Sequence, residues 1–139
     1  MKICIAGSMQ YAEKMAEACE ELRKRGHEPI PSKFLDAYLG DKTDEEREAI
    51  KLDHKYNYDA IREFWYPMRD GADAILVLNY DKNGIKNYVG GNAFLEMGFA
   101  YVLEMKIFLM NPLPDIPYYG TEIIAMKPTV INGDYDKIK

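Results

Sequence analysis

Asp73-Ala74-Ile75-Leu76-Val77-Leu78-Asn79 is the clearest strand in the chain, a continuous apolar run between two polar ends. Apolarity at every position, rather than at alternate ones, is the mark of a strand buried on both faces of a parallel sheet. Downstream, Tyr80 to Gly91 forms a polar loop carrying Asp81, Lys82, Asn83, Gly84, Lys86 and Asn87. It leads to Asn92, read as the N-cap of a helix over Ala93 to Glu104. Lys106 to Met110 is the next strand, Asn111 to Pro117 a proline-rich loop, Thr121 to Met126 a short helix and Thr129-Val130-Ile131 a last strand.

Upstream, Lys2 to Ala6 is a short apolar run that ends in Gly7-Ser8, after which Tyr11, Met15, Ala18 and Leu22 recur at helical spacing up to Arg25-Gly26. With a strand over His27 to Ile30, the first thirty residues form a βαβ unit. Thr43-Asp44-Glu45-Glu46 supplies a capping box for a long helical region within Phe34 to Asp70, which Pro67 is expected to kink or end. Helices alternate with strands throughout. The expected fold is a single α/β domain over residues 1–139, a three-layer sandwich with a parallel sheet of about five strands, Rossmann- or flavodoxin-like. Ligands in such folds bind outside the carboxyl ends of the strands.

The 139 residues fit one domain. Eighteen Lys plus Arg against 23 Asp plus Glu leave a net charge of −5, which disfavours sequence-independent binding to a nucleic acid polymer. No apolar stretch has the length of a membrane helix and no signal-peptide pattern opens the chain, so a cytoplasmic protein without a membrane partner is expected. Two cysteines, Cys4 in a strand and Cys19 on a helix, read as reduced packing thiols, not as a disulfide or a metal site. No cofactor is implied.

Glu96 is the outlier. It lies in Gly90-Gly91-Asn92-Ala93-Phe94-Leu95-Glu96-Met97-Gly98-Phe99-Ala100-Tyr101, where nearly every neighbour is apolar or glycine. A carboxylate is rarely buried without compensation, so such a helix points its one acid at a protected space. With Asn92 as N-cap, Glu96 falls in the first turn or just beyond it, where the positive end of the helix favours the ionised form. A carboxylate so placed serves as a nucleophile on an electrophilic carbon or as a general base. Gly7-Ser8-Met9-Gln10 and Gly90-Gly91-Asn92 follow strands on the same sheet edge, and helix N-termini there suit an anion.

Gly7-Ser8 after the first strand, Ala72-Asp73 opening another, and Gly91 to Glu96 followed by Met97-Gly98-Phe99-Ala100-Tyr101 and Lys106-Ile107 resemble the nucleoside 2-deoxyribosyltransferase superfamily, including its 2′-deoxynucleoside 5′-phosphate N-hydrolase branch. The resemblance implies a retaining double displacement in which Glu96 attacks the anomeric carbon of a deoxyribosyl group, and water or a second base then takes the sugar. It implies a small nucleoside or nucleotide substrate, with Gly7, Ser8, Met9, Gly90, Gly91 and Asn92 holding the sugar or a 5′-phosphate, and Arg62, Trp65 and nearby tyrosines at the base. It further implies a homodimer in which a neighbour's late loop, here Asn111 to Thr121 with Tyr118, completes the pocket. Trp65 stands where the family carries an assisting aspartate, which leaves Asp59, Glu63 or Asp81 for that role. Cys4 replaces a tyrosine of the family, and Gly90 a phosphate-contacting serine. Two other readings stay open: a nucleotide-binding module without catalysis, and an enzyme similar to the purine ribotide phosphoribohydrolases, whose Gly-Gly-x-x-Thr-x-x-Glu signature meets Ala93 and Phe94 near its threonine.

Overall fold

A computed structural model describes residues 1–139. The elements run β1 (Lys2–Gly7), α1 (Ala12–Lys24), β2 (Glu28–Ile30), α2 (Asp44–Asn57), α3 (Ala60–Arg69), β3 (Ala74–Leu78), α4 (Gly91–Val102), β4 (Lys106–Leu109), α5 (Gly120–Ala125) and β5 (Thr129–Val130). Short 3₁₀ turns occupy Met9–Tyr11, Leu35–Tyr38 and Tyr135–Lys137. All strand pairings are parallel, in the order β2-β1-β3-β4-β5. This is the flavodoxin-like order, and its switch point lies between β1 and β3, where successive connections leave in opposite directions. No helix is long and apolar enough to cross a membrane.

The two-residue period of the strands divides the core. Ile3, Ile5, Leu76 and Leu78 face one side and pack with Met15, Ala18 and Leu22 of α1. Cys4, Ala6, Ile75 and Val77 face the other and pack with Met68 of α3 and Ala93, Met97 and Ala100 of α4. β3 is buried along its whole length, as its uniform apolarity requires. Cys4 and Cys19 are buried, unpaired thiols in the two separate cores.

Most boundaries shift by a residue or two from the sequence-based expectation, and two of the differences shape the site. The long helical region breaks at Tyr58-Asp59 rather than at Pro67, because Asp59 adopts the left-handed conformation (φ 54°, ψ 43°), which a right-handed helix cannot pass through. Pro67 sits in the last turn of α3 without ending it. The helix after the β3 loop is capped by Gly90, not Asn92: Gly90 is extended, and its carbonyl accepts from Phe94 N at 2.9 Å. Asn92 therefore lies within the first turn and Glu96 in the second, beyond the strongest reach of the helix dipole.

α2 is held across the carboxyl edge of β1 by Arg47. This side chain, 7% exposed, binds both carboxylate oxygens of Glu13 (2.7 and 3.1 Å), Gln10 O (2.9 Å) and Gly40 O (3.2 Å). Arg47→Ala is expected to lower stability by about 2 kcal/mol, because it strands two carbonyls and frees α2. A urea denaturation midpoint measures this. Arg47→Lys should not restore it, since a single ammonium cannot replace the planar fork.

Candidate active site

Gly7 ends β1 with φ 145°, and a Cβ there would meet Leu78 O at 3.0 Å, so only glycine lets the chain turn this closely beside β3. Ser8 follows and accepts from Gln10 N (3.3 Å) and from Lys82 Nζ (2.8 Å). That ammonium comes from the β3–α4 loop, so the contact ties the two sides of the switch point together. The loop itself is closed by Asp81, whose carboxylate accepts from Asn87 N at 2.8 Å.

Two connected hollows occupy this edge. The outer one, of about 230 Å³, runs past Gly7, Ser8, Tyr11, Lys82 and Tyr88 to the start of α4 at Gly90, Gly91 and Asn92. The inner one, of about 60 Å³, lies among Phe34, Tyr38, His54, Phe64 and Glu96. Gly7, Met9, Lys51, Lys55 and Asn92 line both, which makes them one cleft with a polar mouth and an aromatic floor.

Glu96 is half-buried and has no hydrogen-bond or ion-pair partner in the protein. Desolvation pushes its carboxyl up to about 8, with Lys55 pulling the other way. The same burial, and after it the charge of Glu96, pushes the Cys4 thiol up to about 12, which leaves Cys4 inert. Lys55 and Lys82 are both lowered, first by their own burial and then by Lys51. Three ammonium groups thus crowd the mouth, and an anion bound there would relieve their repulsion.

The structure gathers Gly7, Ser8, Met9, Gly90, Gly91, Asn92 and Glu96 around this cleft. It does not bring the candidate assisting carboxylates to it. Asp59 is exposed and paired with Arg62 at 2.6 Å, and Glu63 is paired with Lys33 at 3.0 Å. Both corrections follow from the break at Tyr58-Asp59: α3 starts afresh there, and its phase turns Ala60, Ile61 and Phe64 toward the cleft instead. Asp81 spends its carboxylate on the loop. Arg62 points away with Asp59, and Trp65 packs edge-on against Phe99 at 5.3 Å in the α3–α4 seam, so neither reaches a base in this cleft. Tyr118 is 98% exposed and lines neither hollow of its own chain. Its neighbour Tyr119 is the anchored one, stacked on Phe94 (4.6 Å) and donating to Val89 O at 2.6 Å.

What the sequence reading missed is the wall made by α2. Lys51, His54 and Lys55 stand three and four residues apart, which places them on one helix face, and all three line the inner hollow. That spacing, following a capping box, was the available signal.

Fold and cleft together define a flavodoxin-like α/β protein with an open cleft at its switch point. No family model and no curated protein matches the chain. Solved structures similar to it include two nucleoside- or nucleotide-acting enzymes. One is a 2-deoxyribosyltransferase from the psychrotolerant bacterium Bacillus psychrosaccharolyticus, at 20% identity and a TM-score of 0.45, covering 78% of this chain and 71% of that one. The other is the CMP N-glycosidase BcmB of Clostridium botulinum, at 19% identity and a TM-score of 0.46, covering 94% of this chain and 84% of that one. Likeness of this degree says nothing about chemistry, which rests on the residues of the cleft.

Proposed function

We propose that the protein is an enzyme that cleaves or transfers the N-glycosidic bond of a (deoxy)nucleoside or its 5′-monophosphate, with Glu96 as the nucleophile. The observation that carries this reading is the carboxyl of Glu96, unpartnered and desolvated in a cavity at the switch point. Departure of a base leaves positive charge on the sugar, and a carboxylate held out of water stabilises that charge more strongly than one in solvent. Attack by Glu96 then gives a glycosyl ester that water or a second base resolves with overall retention. Gly7, Ser8, the first turn of α4 and the lysines at the mouth would take the sugar hydroxyls and a 5′-phosphate.

Leu95 and Val102, exposed and seven residues apart on α4, offer an apolar helix face through which two copies would pair and bring a neighbour's late loop toward the cleft. Chromatography of the protein incubated with each nucleoside and monophosphate, with and without an acceptor base, tests the activity. Free base alone means a hydrolase, and a new nucleoside means a transferase. One observation favours a second reading, a binder without catalysis: below about pH 8 the neutral Glu96 carboxyl can donate to a sugar hydroxyl. That reading requires calorimetric binding with no free base after long incubation.

A further inference from the structure

Breaking an N-glycosidic bond places an electron pair on a nitrogen of the base, and a neutral base leaves slowly unless something protonates it. Glu96 is the only carboxyl lining either hollow, and as the nucleophile it cannot also be the initial acid. The proton donors left on the inner wall are Tyr38, Lys51, His54 and Lys55. Tyr38 is buried and pushed up to about 12, which makes it a poor acid. Lys51 is paired with Glu48 at 2.8 Å.

His54 is built in differently. Its ring stacks on Phe34 (4.2 Å, 26° between planes) and meets the rings of Tyr38 and Tyr58 edge-on at 5.7 and 5.8 Å. Its Nδ1 lies 3.3 Å from the Tyr38 hydroxyl, and Nε2 has no partner. A phenol can donate to Nδ1 or accept from it, so Tyr38 holds the ring in both protonation states. Three aromatic contacts and one hydrogen bond thus fix an imidazole beside the hollow that Glu96 enters, with one nitrogen unused.

We propose that His54 is the acid that protonates the departing base, with Tyr38 as its positioning residue. The inference rests on the glycosidic reading above. In the first step a Glu96 oxygen bonds to the anomeric carbon as the carbon–nitrogen bond breaks. The electron pair passes to the base, and the imidazolium gives its Nε2 proton to a ring nitrogen or carbonyl oxygen of that base. In the second step water attacks the anomeric carbon, the ester bond to Glu96 breaks to return the carboxylate, and the proton of the water goes to Nε2. The enzyme ends as it began.

Leaving-group dependence tests this. His54→Gln and His54→Asn are assayed beside Glu96→Gln on a deoxynucleoside monophosphate and on the 4-nitrophenyl 2-deoxyriboside 5-phosphate, whose nitrophenolate departs without protonation. Both His54 variants should lose about 10²- to 10⁴-fold in kcat on the nucleotide. In the first release of nitrophenolate, read before the ester is hydrolysed, they should stay within a few-fold of wild type, while Glu96→Gln loses both activities. Equal losses of the His54 variants on the two substrates, or no loss on either, would overturn the role of His54 alone. Wild-type turnover matched by Glu96→Gln would instead sink the glycosidic reading itself.

Discussion

Glu96→Gln is expected to abolish base release and at the same time to stabilise the folded chain above neutral pH. The carboxyl of the folded protein sits near 8 and the unfolded one near its ordinary value of 4.5. Between those values the folded chain keeps a proton that the unfolded chain has released, so stability falls as pH rises through this window and is level on either side. Each unit of the difference is worth up to about 1.4 kcal/mol, which makes the full effect about 3–5 kcal/mol. Glutamine does not titrate. Urea denaturation should therefore show the gap between variant and wild type opening from about pH 4.5 and reaching its full size near pH 8. Parallel pH profiles would mean that the carboxyl is solvated. The same titration bears on the reaction: on the nitrophenyl substrate, whose leaving group needs no proton, the first-turnover rate should climb with pH up to about 8 as Glu96 ionises, and Lys55→Met should move that limb upward by removing the cation that favours the charged form.

The second large effect is expected at Asn79, a fully buried residue just past β3. Its side-chain amide donates to Asn111 O (3.0 Å) and Pro112 O (3.2 Å), and its side-chain oxygen accepts from Asn111 N (2.9 Å). Asn111 Nδ2 returns a bond to Asn79 O at 3.0 Å. One side chain thus joins the loop that carries Lys82 and Gly90 to the proline-rich loop beyond β4. Asn79→Ala leaves the part-buried N–H and carbonyl of Asn111 unpaired and opens a cavity at a fully buried position, at a cost of about 3 kcal/mol. Thermal unfolding should show the loss as a melting temperature lower by about 10 °C. Asn79→Asp should recover little, because a carboxylate can accept from Asn111 N but cannot donate to the carbonyls.

Much of the fold was legible because strand and helix periods are written in side chains. Ala74 to Leu78 announced a central parallel strand, and Met15, Ala18 and Leu22 a buried helix face, and each is found so. The break between α2 and α3 was not legible, since the left-handed backbone at Asp59 leaves no mark in the hydrophobic pattern while Pro67 draws the eye to the wrong place. That one boundary set the phase of α3 and turned Asp59, Arg62, Glu63 and Trp65 away from the cleft. The glycine turns and Glu96 could be named in advance because their chemistry is local to one strand end each. The α2 wall could not, because it depends on where Arg47 pins a helix that has few buried residues of its own.

The central claim is a covalent bond between Glu96 and the sugar, and acid-quenched mass spectrometry tests it most directly. Protein mixed with an excess of a cleavable deoxynucleoside monophosphate is stopped within one turnover and digested. A peptide carrying Glu96 should gain the mass of one 5-phospho-2-deoxyribosyl group, and the gain should vanish in Glu96→Gln. Base released at the wild-type rate with no adduct, or with the adduct on another residue, would contradict the account.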